Sequence, residues 1–326
     1  LARTVFWLAG SLALVAGLFL WSLWAFSAFP LGLADAAPLW TGGARSTMTE
    51  IIARVRLPRA MVCVLIGAMM GLTGGLMQGV TRNRLASPSL LGVTGGASLG
   101  LAIVSSGLAG ASVPGPVAAT LGGAAAWTLV MLLGSAFSAE ASRIRLVLAG
   151  MTMAALCAGL TRLVVLLAEE RALGVLNWLA GSLANTGFGD VRLLAPVLLA
   201  AGLAAGAFAK PLNLIALGDE AALALGVRIG RLRALVFLLG CVMTGATVAV
   251  AGPIAFLGLI APNLAYALVG TDLRRALPLA ALLGAALLLA SDILSRAVAF
   301  PSETPAGAVT ALIGAPAFLL LARRAA

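Results

Sequence analysis

Few side chains in this sequence could do chemistry, and their balance is lopsided. The 326 residues carry 21 Lys+Arg against 11 Asp+Glu, and no histidine. The commonest transition-metal ligand is therefore missing, which argues against direct binding of bare Zn, Mn or Fe ions, and no metal site is expected. Cys63, Cys157 and Cys241 each lie inside an apolar run, where cysteine serves packing rather than a disulfide framework. No Gly-x-x-x-x-Gly-Lys-[Ser/Thr] phosphate loop occurs. No catalytic residue is assigned.

Four charged groupings remain. Arg54, Arg56 and Arg59 crowd into Ala53-Arg54-Val55-Arg56-Leu57-Pro58-Arg59. They either snorkel to the interface at the start of a helix or form a docking patch for an acidic partner. Arg162 stands inside an apolar run, in Gly159-Leu160-Thr161-Arg162-Leu163-Val164. A charge at membrane depth costs at least ~2.5 kcal/mol on insertion scales, so it faces a cavity or a partner. In the stretch from Leu214 to Arg228, Asp219 is predicted to cap a short helix, Glu220 to suit its positive end and Gly226 to stop it. A helix of under two turns must pack against something, either its own membrane domain or a soluble partner. Asp292 is the acidic residue best placed for a proton relay, but it falls near the end of its apolar run.

The elements that position these residues are membrane spans. Hydrophobic residues make up 62% and charged ones 10%, and mean hydropathy is +1.11. A soluble domain carries about 25% charged residues, so this chain lacks the polar surface to fold in water. Apolar runs of roughly 20 residues cross the ~30 Å hydrocarbon core as helices. Spans are predicted at about 5–27, 59–80, 90–107, 115–138, 144–168, 191–209, 231–251, 253–270, 276–298 and 306–322. The fold class is thus all-α: a polytopic membrane protein of about ten transmembrane helices, with 1–326 as a single transmembrane domain. The chain opens on Leu1 rather than Met, so a short preceding piece is expected, and residues 5–27 are taken as the first span rather than a signal peptide. Gly67, Gly71, Gly75 and Gly79 line one helix face with small residues, which suits close helix packing in lipid.

The arginines are scattered between apolar runs rather than gathered on one face, which excludes a nucleic-acid partner. In a membrane protein their excess marks cytoplasmic connections. Arg82, Arg84, Arg143, Arg145, Lys210, Arg228, Arg231, Arg233, Arg274 and Arg275 fall on one side if the N-terminus is cytoplasmic, and Arg323 and Arg324 join them. Both termini are therefore placed in the cytoplasm.

From about Arg54 to Arg324 the chain resembles the permease subunits of ABC importers for ferric siderophores, haem and vitamin B12. The resemblance rests on Arg56-Leu57-Pro58-Arg59, Gly75-Leu76-Met77-Gln78-Gly79, Arg82-Asn83-Arg84-Leu85-Ala86-Ser87-Pro88 and Trp178-Leu179-Ala180-Gly181-Ser182-Leu183. It continues through Leu217-Gly218-Asp219-Glu220, Gly252-Pro253-Ile254-Ala255-Phe256-Leu257-Gly258 and Glu303-Thr304-Pro305-Ala306-Gly307. The order and spacing of these blocks carry the match.

The resemblance implies a subunit of the bacterial inner membrane that pairs with a second permease, identical or paralogous. The substrate pathway then runs between the two permeases. Two cytoplasmic ATPase subunits hold the ATP and Mg, and a periplasmic or lipid-anchored binding protein delivers the cargo. No cofactor is expected on this chain itself. The resemblance assigns binding-protein docking to Arg56, Arg59 and Arg296, and ATPase coupling to Gly218, Asp219, Glu220, Ala221, Leu225 and Gly226. It assigns a cytoplasmic gate to Glu140, Ala141, Ser142 and Arg143, and the substrate pathway to Arg162 and Gln78. Ferric siderophore import is the first expectation, with haem or vitamin B12 as alternatives and a secondary transporter or channel as the reading from another class. Arg162 then either attracts an anionic ferric chelate or pairs within the assembly. The chain departs from the family pattern at two places. Pro262-Asn263 with Tyr266 stands where Pro-His with a following Arg is usual, and Asn83-Arg84 stands where Asn-Pro is usual.

Overall fold

The computed structural model describes residues 2–26, 46–108, 113–135, 142–168 and 178–325. Among them ten helices have 13 residues or more, in the order the apolar runs predict. They are α1 (Ala2–Ser22), α3 (Leu57–Thr81), α4 (Val93–Ser105), α5 (Gly115–Ser135), α6 (Ser142–Leu167), α7 (Phe188–Ile215), α9 (Ile229–Ala251), α10 (Leu257–Val269), α11 (Leu273–Val298) and α12 (Ala306–Ala325). The short α2 (Thr47–Ile51) and α8 (Asp219–Ala224) complete the set. No strand occurs among the described residues.

The 25 residues of α3 rise about 37 Å, enough to cross the hydrocarbon core. α4 and α10 have 13 residues each and rise only about 20 Å. Non-helical backbone at membrane depth is tolerated where protein covers it. Here Ala86, Ser87, Pro88 and Leu91 are buried ahead of α4, and Gly252 and Ile254 are buried ahead of α10.

Helicity also extends earlier than the mixed composition of 28–55 suggests. The Ser46 side chain accepts from the Thr49 N–H at 3.2 Å and starts α2. A π-helical turn, Ile52–Arg56, then joins α2 to α3. Pro58 has no N–H to return to the Arg54 carbonyl, which accounts for a local change of ladder at this point.

α3 is the central helix, packed against α11, α7, α10 and α9. Its small-residue face makes this possible. A Cβ on Gly71 would overlap the carbonyl of Ala280 on α11, and one on Gly74 the carbonyl of Gly258 on α10. α4, α5 and α6 form a second group, which α9 ties to the first by packing on both α5 and α3.

Candidate functional site

The first constellation lies where α1, α3 and α11 meet. Asp292 is fully buried on α11. Arg59 donates from Nε to Asp292 Oδ1 at 2.9 Å, and its Nη2 lies 2.8 Å from the same oxygen. The other Arg59 nitrogen, Nη1, reaches Glu303 at 2.7 Å. Arg296, one helical turn beyond Asp292, places Nη2 2.9 Å from Asp292 Oδ2 and donates from Nη1 to the carbonyls of Ser22 at 3.0 Å and Ala25 at 3.1 Å. Arg56 donates to the Ala25 and Phe26 carbonyls at 3.5 and 3.3 Å. The orphan carbonyls at the end of α1 carry the negative end of its dipole, and two guanidiniums neutralise it.

Arg56, Arg59 and Arg296, given one docking role from sequence, are thus brought together. All three are buried and turned inward, so to meet another protein they must release bonds made within the chain. The cluster holds three cations against Asp292 and Glu303. The hub itself, Asp292, escaped the sequence reading as an ion-pair partner. Its spacing from Arg296, two opposite charges four residues apart in an apolar helix, is the signal that could have found it.

The second constellation is α8 and its flanks. Asp219 does not cap the helix as predicted: Gly218 is the N-cap, at φ +117°, and Asp219 is the first helical residue. The Asp219 carboxylate instead pairs with Arg82 at 3.1 Å and Arg233 at 3.0 Å. Those residues stand at the end of α3 and the start of α9. Gly226 does end the helix. It lies in the left-handed region at φ +82°, its N–H bonds the Leu223 carbonyl at 2.9 Å, and the Val227 N–H bonds the Ala222 carbonyl at 2.9 Å. This is the paired-bond C-terminal motif that favours glycine. Within α8 only Ala222 is buried, whereas Leu217, Leu223 and Leu225 are 60–69% exposed. A helix this short, fixed to two long helices by one carboxylate and showing three leucines outward, can receive a push on its apolar side and pass it to both α3 and α9.

Arg162 lies on the outer face of α6. Met153, Cys157, Thr161 and Val165 form the buried face at a spacing of four, and Arg162 is exposed beside Leu160, Leu163 and Leu166. It makes no hydrogen bond or ion pair among the described residues. Gln78 lies elsewhere: it is 3% exposed, on α3, and lines a polar cavity with Arg82, Asn83, Arg84 and Tyr266. α6 packs on α4 and α5 while α3 packs on α7, α9, α10 and α11, so the two pathway residues are not brought together. Of the gate, Glu140 and Ala141 lie outside the described residues, and Ser142 and Arg143 begin α6.

The two departures from the family pattern meet in space. Asn263 donates to the Arg84 carbonyl at 2.9 Å and to the Leu259 carbonyl at 2.8 Å. The Arg84 guanidinium carbon lies 5.7 Å from the centre of the Tyr266 ring, within cation–π range. Three blocks shared with the family also converge: the Gly307 N–H bonds the Gly181 carbonyl at 2.8 Å, and a Cβ on Gly252 would overlap the Trp178 carbonyl.

Comparison with known proteins places this geometry. Residues 4–324 match the model of the FecCD transport family. The chain is 45% identical over 311 residues to the Fe(3+) dicitrate transport system permease protein FecC of Escherichia coli K12, covering 93% of this chain and 92% of that one. It is 36% identical over 296 residues to the hemin transport system permease protein HmuU of Yersinia pestis, covering 88% and 87%. Among solved structures it is similar to a metal-chelate type ABC transporter in an inward-facing conformation, with a TM-score of 0.82, 30% identity, and 98% and 99% of the two chains covered.

Proposed function

We propose a cargo and a coupling route from one premise: the chain belongs to the FecCD transport family and is a non-enzymatic permease subunit of an ABC importer. Its cargo, on this reading, is a ferric siderophore complex carrying negative charge, and a carboxylate chelate of the ferric dicitrate kind is the first to test. The observation that carries this is Arg162. It is a cation on the exposed face of a membrane helix, where lipid would be the wrong neighbour. A second permease across that face gives Arg162 a polar passage instead, and an anionic chelate gives it a counter-charge. The similarity to Fe(3+) dicitrate and Fe(3+)-citrate permeases supports the same class. Haem and cobalamin are the alternative cargoes, since relatives with those names also match.

The chain works as one transmembrane domain of the bacterial inner membrane with both termini in the cytoplasm. It pairs with an identical or paralogous permease, and two ATPase subunits carry ATP and Mg. α8 with Gly218, Asp219, Glu220, Ala221, Leu225 and Gly226 seats its exposed leucines on an ATPase. Closure of the two ATPases then rocks α3 and α9 through the Asp219 pairs as rigid bodies. At the opposite end, the one-charge excess of Arg56, Arg59 and Arg296 over Asp292 and Glu303 favours an acidic binding protein. Glu140 to Arg143 form the gate on the α8 side.

The test is uptake of labelled ferric citrate by the reconstituted importer carrying Arg162→Ala. Uptake falls while the complex still assembles, and Arg162→Lys keeps part of it. Unchanged uptake with Arg162→Ala refutes the pathway assignment.

A further inference from the structure

α3, α7 and α11 pack on one another yet leave two adjoining hollows, which share Leu273 in their walls and together make up a cleft. Toward α8 it is the polar cavity already met, about 280 Å³, with Gln78, Arg82, Asn83, Arg84 and Asn213 in its wall. Deeper in the membrane it becomes an apolar groove of about 500 Å³, lined by Leu72, Gly202, Ala205, Gly206, Leu277 and Ala281. Leu273 borders both parts, and Arg274 lines the groove near their junction. From Gly202 to Ala216 the α7 wall rises about 21 Å, the depth of one leaflet including its headgroups.

Two features say what the cleft is shaped for. Gln78 is 3% exposed, yet among the described residues neither its amide nitrogen nor its amide oxygen has a hydrogen-bond partner. Buried amides without partners are rare, because losing water without a replacement is costly. A ligand that satisfies Gln78 must both accept and donate. In the groove, a Cβ at Gly202 or Gly206 would meet nothing within 4 Å, so these glycines leave room rather than seat a neighbouring helix. The adjoining Leu199 and Leu203 are 67% and 71% exposed, an apolar side of α7 that suits acyl chains.

We infer that the cleft holds one anionic phospholipid with a hydroxylated headgroup, of the phosphatidylglycerol kind. Its phosphodiester sits among Arg82, Arg84 and the Gln78 amide N–H, a glycerol hydroxyl donates to the Gln78 oxygen, and one acyl chain runs past Gly206 and Gly202. Basic pockets between helices at a membrane surface take anionic headgroups in this way. Arg82 also pairs with Asp219, so the bound lipid touches the residue that anchors α8.

The importer complex, delipidated in detergent, tests this by native mass spectrometry with added phosphatidylglycerol, phosphatidylcholine or inorganic phosphate. The expected result is one tightly held phosphatidylglycerol per permease chain, in preference to phosphatidylcholine. Arg84→Ala should weaken it about fivefold, as loss of one basic contact to an anionic lipid implies, and Gly206→Leu should abolish it by filling the groove. If the Gly206→Leu chain does not assemble, Arg84→Ala combined with Arg274→Ala carries the test. Equal retention of phosphatidylcholine, retention of phosphatidylglycerol by these variants, or displacement of the lipid by inorganic phosphate at equal concentration overturns the inference. The readout is bound lipid, so it stands or falls separately from uptake.

Discussion

Replacing Asp292 by asparagine removes the one carboxylate that Arg59 and Arg296 share. Asp292 is fully enclosed and takes Arg59 at 2.8 Å and Arg296 at 2.9 Å. With an amide in its place, Arg296 has no carboxylate left and keeps the Ser22 hydroxyl and backbone carbonyls, and Arg59 keeps Glu303 as its remaining carboxylate. Removing one partner of a buried ion pair costs about 3–5 kcal/mol, mostly the penalty of the stranded charge. For a chain of this size that lowers the melting temperature by roughly 5 °C. Glu303 is the internal control. Its side chain is 34% exposed and it makes a single contact to Arg59, so solvent screens it and Glu303→Gln should cost about 1 kcal/mol or less. Replacing Asp292 and Arg296 together by leucine and methionine should recover the part of the loss that belongs to Arg296, while Arg59 is left with Glu303 alone. The assay is thermal unfolding of the purified permease, followed by tryptophan fluorescence. If Asp292→Asn melts no lower than Glu303→Gln, or if the double variant is no better than the single one, the buried network does not hold α1, α3 and α11 together. Loss of binding-protein affinity without loss of stability would show that the arginines serve docking alone.

Three further outcomes follow from the packing. Gly71→Val drives a branched side chain into the Ala280 carbonyl, which forces α3 and α11 apart. It should cost at least the ~1–3 kcal/mol of ordinary overpacking and reduce the folded permease recovered from membranes. Changing Leu217, Leu223 and Leu225 to serine should leave the permease folded, since all three are exposed, but weaken its co-purification with the ATPase; unchanged co-purification removes α8 from the contact. Asn263→Ala loses the bond to the Arg84 carbonyl and should lower stability by about 1 kcal/mol. Adding Arg84→Pro, which restores the usual family residue, should then give a non-additive change, because the two sites touch.

Much of the fold was legible because lipid imposes it: each apolar run had to become a helix, and the ten runs recur in order as the ten longer helices. The small-residue face of α3 was equally legible, since Gly67 and Gly71 sit in the four-residue repeat and both closely approach α11, whereas Gly74, which meets α10, fell outside that repeat. What escaped was pairing at long range. Arg59 and Asp292 are 233 residues apart, and no periodicity links them, so three arginines read as an outward patch when their partners lie inside. Asp219 looked like a cap because acidic residues favour that position, but two arginines from distant helices claim its carboxylate and Gly218 takes the cap. The departures at Arg84 and Asn263 read as two separate oddities and are one contact.

The most direct measurement is uptake of radiolabelled ferric citrate into proteoliposomes holding the permease pair, its ATPases and its binding protein. The expected result is accumulation that requires ATP and falls sharply with Arg162→Ala, while neutral or cationic chelates are not taken up. Accumulation that proceeds without ATP, or is indifferent both to Arg162 and to the charge of the chelate, would contradict an ATP-driven path for an anionic ferric complex along α6.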